Sequence, residues 1–316
     1  MVRLRACGIC GSDMHFYLED NCAGTPALYP SVLGHEPAGE IAAVGGGVED
    51  LVVGDRVAVE PALACGKCEQ CRAGKRNICE HITFMGGVQL PGLLREYAVM
   101  PASNVLKIPA DMDFVTATAI EPIAVLLHSL KLAELKVGET VAVMGAGPIG
   151  LLAVQLAKLA GASTVVCADR VAHRLQRARD LGADVVVDVD KDSVVDAVLD
   201  ATNHKGAHVV IDAAGKTASI NAGIACARNA GRLVIVGIPS AEETPLRLWD
   251  AMQRELTITV QKRSNGNDHD ALNLLSSGKL DASSIISHRF SMDRGAEAFE
   301  TMGTYADGVV KPVIEI

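Results

Sequence analysis

The chain has 316 residues, 49% apolar and only 3% aromatic, with a formal net charge of −9. That length suits about two domains, an apolar fraction dominated by Val, Ile, Ala and Gly suits a parallel α/β sheet, and the acidic balance without any basic run excludes a nucleic-acid surface. Nine cysteines are too sparse here for a disulfide scaffold, and four of them crowd into residues 65–79, which points to metal. No signal-peptide core opens the sequence and no uninterrupted apolar run reaches membrane-spanning length, so a cytoplasmic protein is expected.

In chain order, residues 1–7 read as the end of a strand whose beginning is absent. Residues 7–36 then gather a thiol (Cys10), a small hydroxyl (Ser12), an imidazole (His35) and a carboxylate (Glu36). Thiolate, imidazole and carboxylate are zinc ligands, and a catalytic zinc keeps one position open. Taken alone, Cys10 and His35 fit a buried core equally well. Residues 40–44 and 52–59 are short β-rich runs set off by Gly45-Gly46-Gly47 and Gly54-Asp55, the texture of an irregular β-barrel.

Cys65, Cys68, Cys71 and Cys79 follow as C-x2-C-x2-C-x7-C, a spacing that can close a tetrahedral structural zinc site. A ferredoxin run would place its fourth cysteine after three residues with Pro behind it, whereas seven residues intervene here and Glu80 follows. Residues 92–108 return to β character. Residues 115–133 read as a helix carrying Glu121-Pro122, where a carboxylate ahead of a proline is also a sensible helix start.

From Gly138 the texture changes. A buried strand over 140–144 runs into Gly145-Ala146-Gly147-Pro148-Ile149-Gly150, a helix to residue 159, and a second strand ending at Asp169. A lone G-x-G-x-x-G is weak, but in this strand–turn–helix–strand setting it is a dinucleotide fingerprint, with Asp169 placed to take the ribose diol. The carboxylate favours NAD over NADP, although Arg170 and Arg174 nearby bring positive charge that a 2′-phosphate could use; both also fit a solvated helix face. Helices over 173–181, 193–202, 219–228 and 245–254 alternate with strands over 184–187, 208–212, 232–238 and 256–260, the pattern of a doubly wound sheet. Val236, Gly237 and Ile238, ending one of those strands, are candidate cofactor contacts. A helix over 268–277, a strand over 285–290, a helix over 292–302 and a strand over 308–316 complete the chain.

Together these motifs resemble the zinc-containing medium-chain alcohol dehydrogenases, most closely their sorbitol (polyol) dehydrogenase branch. The resemblance is carried by Cys7-Gly-Ile-Cys10-Gly-Ser12-Asp13-Met-His15, Gly34-His35-Glu36, the four-cysteine lobe, Ile120-Glu121-Pro122, the glycine-rich loop and Ser287-His288-Arg289-Phe290. It implies an α/β protein with a GroES-like irregular β-barrel catalytic domain (residues 1–122 and 264–316) and a Rossmann doubly wound parallel sheet (residues 123–263). It implies Cys10 and His35 as catalytic-zinc ligands, Glu36 as a ligand or as a group alternating with the bound oxygen, and Glu121 beside the metal. Ser12 would begin the proton relay, Asp13 would orient a ligand imidazole, and Phe16 and Arg263 would meet substrate. The implied reaction is hydride transfer from a polyol or secondary alcohol to NAD in a homo-oligomer, tetramer or dimer. A threonine- or butanediol-type dehydrogenase of the same family and a truncated NAD-binding protein of little activity are the competing readings.

Two departures from the branch stand out. His15-Phe16-Tyr17 replaces His-Tyr-Trp, and Lys262-Arg263-Ser264 replaces Phe-Arg-Tyr, so two tyrosine hydroxyls are missing and a substrate other than sorbitol, or a different binding mode, is expected. Members of the family also carry strands ahead of Cys-Gly-Ile-Cys, and their loss is expected to expose a sheet edge and weaken the zinc domain.

Overall fold

A computed structural model describes residues 1–239 and 242–316. The chain forms two compact units, Met1–Val125 with Arg263–Ile316, and Leu126–Lys262.

The first unit is built on strands β1 (Val2–Gly8), β2 (Glu36–Ile41), β3 (Arg56–Val59) and β4 (Val105–Lys107). The second contains β5 (Thr140–Met144), β6 (Thr164–Asp169), β7 (Val185–Asp188), β8 (Ala207–Asp212), β9 (Ala227–Ile235) and β10 (Thr257–Val260). The chain then returns to the first unit with β11 (Ile286–Ser291) and β12 (Lys311–Glu315). The helices that matter for the sites are α1 (Gly11–Glu19), α2 (Ile120–Ala133), α3 (Pro148–Leu159), α4 (Ala172–Asp180), α5 (Val194–Ala201) and α6 (Thr217–Cys226).

In the first unit the strand order is β11-β12-β1-β2-β3-β4, with the short strand Tyr97–Ala98 also pairing with β1. The opening residues are therefore a seven-residue strand in the middle of the sheet, antiparallel to β12 on one side and β2 on the other. The sheet edges fall at β11 and β4, not at the opening strand. Val2, Leu4, Ile41, Val57 and Val59 supply one apolar face, closed by Met85, Leu93 and Met100. The β character expected over residues 92–108 is confined to Tyr97–Ala98 and β4.

The second unit is a parallel sheet in the order β7-β6-β5-β8-β9-β10. The order reverses between β5 and β8, the switch point at which doubly wound sheets take their ligands. Strands β5, β6 and β8 are almost wholly buried, as their apolar runs require when helices cover both faces. Two boundaries correct the sequence reading. The strand expected over 232–238 ends at Ile235, because the Val236 and Gly237 amides turn back to the Asp212 carbonyl (2.8 and 2.9 Å). The helix expected over 245–254 shrinks to Leu248–Gln253.

The stretch Phe114–Ala133 is long and apolar enough to cross a membrane by length and composition alone, and 61% of that window is buried inside the protein. Glu121, Pro122 and Lys131 within it suit a core helix rather than a span.

Candidate metal and cofactor sites

The register of two strands assembles the first cluster. Gly8 of β1 lies opposite Glu36 of β2, so the chain leaving β1 arrives beside His35 and Glu36 before turning into α1 at Cys10. One ligand atom from each of Cys10, His35 and Glu36 lies within 4.8 Å of the others. Asp13, fully buried, fastens the pieces together. Its Oδ2 accepts the Cys10 amide (2.9 Å), its Oδ1 accepts the Gly34 amide (3.0 Å), and Oδ1 stands 3.5 Å from His35 Nδ1. Burial opposes its charge, yet His35 and the two amides hold the Asp13 carboxyl below its ordinary range. On the other side of the ring, Ser12 Oγ is 3.5 Å from His35 Nε2. Thiol, imidazole and carboxylate around one point are a donor set that fits zinc with a position left open.

Glu36 also meets Lys311, and both side chains are 1% exposed. Lys311 donates further to the Ile9 carbonyl at 3.2 Å. A buried charge must be paired, and this pair satisfies that demand. Glu121, in the first turn of α2, lies outside the three-ligand cluster but feels it: burial, then the Glu36 charge, pushes its carboxyl up to about 8.

The candidate substrate residues fare differently. Phe16 is buried in α1, and its carbonyl accepts the Tyr29 hydroxyl (3.2 Å). Arg263 has a left-handed backbone (φ 53°) and lays its guanidinium 3.6 Å over the Phe84 ring. Phe84 also neighbours His35, with ring centroids 5.2 Å apart. Ser264, which replaces the branch tyrosine, is buried and donates to Glu60 Oε2 (3.0 Å). Phe84, Glu60 and Lys311 had no signal in the sequence, because each acquires its place only through partners far along the chain.

The four cysteine sulfurs of Cys65, Cys68, Cys71 and Cys79 also lie within 4.8 Å of one another. Cys68 and Cys79 Sγ are 3.8 Å apart, the edge of a tetrahedron whose metal–sulfur distance is about 2.3 Å. The short helix Glu69–Arg72 begins at Cys68, whose sulfur accepts the Cys71 amide (3.4 Å), while Cys79 Sγ accepts those of Cys65 and His81 (3.3 and 3.4 Å). Amide bonds from Cys71 and Glu80 bring the Cys68 thiol down to about 6. Asn265 ties the lobe to the rest of its unit by accepting the Arg76 amide and donating to the Gly74 carbonyl, both at 3.0 Å.

In the second unit the glycine-rich loop runs from β5 into α3. A Cβ on Gly150 would lie 1.7 Å from the Gly145 carbonyl oxygen, so the turn admits no side chain there. Gly147 caps α3 with open space in front of it; the nearest atom to its notional Cβ is an Arg174 guanidinium nitrogen at 3.9 Å. Pro148 starts the helix, where its fixed φ costs nothing, and Ile149 follows on the half-exposed first turn. The open helix start suits a pyrophosphate. Asp169, at the end of β6, accepts the amides of Ala146 (2.6 Å), Arg170 and Val171 (both 2.8 Å). The two arginines part company: Arg170 is exposed and paired with Asp190 (3.1 Å), whereas Arg174 is buried beneath the loop. Val236, Gly237 and Ile238 form the loop after β9.

Comparison with known proteins agrees with this geometry. Residues 1–110 match the alcohol dehydrogenase GroES-like domain and residues 148–277 match the zinc-binding dehydrogenase domain. The sorbitol dehydrogenase of Bacillus subtilis is 34% identical over 314 residues, 99% of this chain and 89% of that protein. The D-xylulose reductase of Saccharomyces cerevisiae is 36% identical over 320 residues, covering 100% and 90%. An alcohol dehydrogenase of Escherichia coli CFT073, solved with NADH, superposes with a TM-score of 0.91 at 32% identity, covering 100% of this chain and 91% of that one. With both domain types in place and relatives matched over 99% or more of this chain, the chain belongs to the zinc-binding alcohol dehydrogenases with a GroES-like domain.

Proposed function

We propose that the protein oxidises a polyol or a related secondary alcohol, giving the ketose or ketone, with NAD as hydride acceptor. The observation that carries this reading is a Cys10–His35–Glu36 cluster with a second carboxylate, Glu121, at its side, rather than a further cysteine. Zinc held by Cys10, His35 and Glu36 would supply the Lewis acidity that makes an alcohol hydroxyl easy to deprotonate near neutral pH. Ser12 Oγ, 3.5 Å from His35 Nε2, is the candidate to pass the substrate proton outward, and Glu121 is a second carboxyl beside the cluster that can exchange a proton with it. Asp13 keeps the His35 ring in position by facing its Nδ1 and by holding the Gly34 amide just before it and the Cys10 amide across from it. Arg263, stacked over the Phe84 ring that neighbours His35, is a fixed cation that can meet a substrate hydroxyl. The four cysteines around the second metal position hold their lobe and take no part in the chemistry.

In the second unit Asp169 takes the ribose diol and repels a 2′-phosphate, while the start of α3 receives the pyrophosphate. Arg170 is engaged by Asp190, which supports NAD over NADP. The loss of both branch tyrosines, with Ser264 turned to Glu60, supports a substrate other than sorbitol. A threonine-type reaction is the weaker reading, because Glu121-Pro122 follows the polyol pattern. Family membership supports a homo-oligomer.

The test is zinc content together with NADH formation on sorbitol, xylitol, ribitol, threitol, butanediol and threonine. Two zinc ions per chain and turnover of one polyol support the reading; turnover of threonine alone replaces it. One zinc or none, with NAD still bound, leaves only a dinucleotide-binding protein.

A further inference from the structure

The geometry points to Asp212 as the positioning residue for the nicotinamide half of the dinucleotide, an inference that rests on the dinucleotide reading above. Asp212 is the last residue of β8, the strand across the switch point from β5, and its side chain is fully buried. Its carboxylate fixes the loop that follows: Oδ2 accepts the Gly215 amide (2.9 Å) and Oδ1 accepts the Ser219 hydroxyl (2.6 Å) in the first turn of α6. Its carbonyl fixes a second loop by accepting the amides of Val236 (2.8 Å) and Gly237 (2.9 Å). One residue thus holds two loops, through its side chain and its backbone.

The loops so held are pressed together with no room to spare. A Cβ on Gly215, where φ is +66°, would fall 2.2 Å from the Ile238 carbonyl oxygen, and one on Gly237 would fall 2.2 Å from the Gly215 amide nitrogen. The same loop abuts the glycine-rich turn. The Ala213 amide donates to the Met144 carbonyl (2.8 Å), and Ala214 Cβ is 3.2 Å from where a Cβ on Gly145 would be. Three loops at the ends of β5, β8 and β9 therefore form one floor, and Asp212 fastens two of them.

The sheet order says which half of the cofactor this floor serves. Asp169 ends β6, on one side of β5, and α3 begins directly after β5. A dinucleotide with its adenosine ribose at Asp169 and its pyrophosphate at α3 must extend its other half across the ends of β8 and β9. Asp212 lies under that half and away from the adenosine. A carboxylate is the right group for the place: it accepts from several donors at once, whereas an amide in its position would turn its own N–H groups toward the Gly215 amide or the Ser219 hydroxyl.

The consequence is a half-specific effect. Asp212→Asn should weaken NAD about ten- to a hundredfold, the range expected when a hydrogen bond to a charged group is lost. ADP-ribose, which lacks the nicotinamide, should change by less than about twofold. Ser219→Ala removes one of the bonds and keeps the carboxylate, so it should weaken NAD about threefold with ADP-ribose again unmoved. The experiment is calorimetric titration of the full-length protein and both variants with NAD and with ADP-ribose. Loss confined to NAD in either variant supports the assignment. Equal losses for both ligands mean that Asp212 supports the fold generally, and no loss for either means that the loops hold without it; both overturn the proposal. Binding of neither ligand by the unmutated protein overturns the dinucleotide reading and this inference with it.

Discussion

Lys311 and Glu36 join the last strand of the chain to the head of β2 through a buried ion pair at the edge of the candidate catalytic cluster. Removing one partner of such a pair leaves an uncompensated buried charge, at a cost of about 3–5 kcal/mol. Lys311→Met is therefore expected to destabilise the metal-free protein by that order. Zinc at Cys10, His35 and Glu36 would neutralise the same carboxylate, so the variant should depend on zinc more strongly than the unmutated chain does. Urea unfolding of both proteins, with zinc and after chelation, checks this. An equal penalty in the two states would mean that Glu36 is not a zinc ligand.

The cysteine lobe should come apart from the rest of the molecule in its effects. Cys68 begins the short helix of the lobe and its sulfur is 3.8 Å from that of Cys79. Cys68→Ser removes a soft ligand from a closed four-sulfur site, where metal binding is itself folding energy. Zinc per chain should fall from two to one, and proteolysis should open the lobe. NADH binding, which depends on the second unit, should persist. Metal analysis and fluorescence titration of NADH on the same sample give both readings.

The parts of this architecture that were legible in the sequence are those written in local spacing. Gly145 to Gly150 and Asp169 sit where a strand–turn–helix–strand reading puts them, because the close approach at Gly150 can be met by glycine alone. The four cysteines are equally local. Helix α1 was not legible: it starts at Cys10, a poor capping residue, and runs through Gly11 and Ser12, so its capping by the Asp13 carboxylate is visible only in three dimensions. The end of β9 was misread because Val236 and Ile238 continue an apolar run, and the bonds that turn the chain come from Asp212, 24 positions earlier. Lys311 reads as one residue of an ordinary strand over 308–316; its role depends on a partner 275 residues away. Local chemistry is encoded locally, and pairing across the fold is not.

Asp169 offers a test of cofactor choice. Its carboxylate already accepts the amide of Ala146 in the glycine-rich loop, so it shapes the loop as well as facing the ribose. Asp169→Ala should raise the Michaelis constant for NAD by about tenfold or more, the value of charge-assisted hydrogen bonds to a diol. NADP should be affected less, because its 2′-phosphate no longer meets a carboxylate. Initial-rate measurements with both cofactors decide it, and a parallel loss for NAD and NADP would show that the residue serves only the loop.

Glu60 provides a test in pH. Its carboxyl, partly buried at the end of β3, is raised from 4.5 to about 7 by burial and by the neighbouring Asp268. A carboxyl with a raised folded-state value binds its proton more tightly in the native chain than in the unfolded one. Its contribution is therefore fully present below about pH 4.5 and is lost as pH climbs through about 7, so between those values the native state weakens as pH rises. Allowing for partial exposure, the effect is on the order of 2 kcal/mol. Glu60→Gln removes this proton while keeping an acceptor for the Ala62 amide, which Glu60 Oε1 takes at 2.8 Å, and a polar partner for Ser264. The expected outcome is a smaller drop in the urea midpoint between pH 5 and pH 8 for the variant than for the unmutated protein. Identical drops would place the pH dependence on Glu121 and Asp268, whose carboxyls are also raised, and would remove Glu60 from the account.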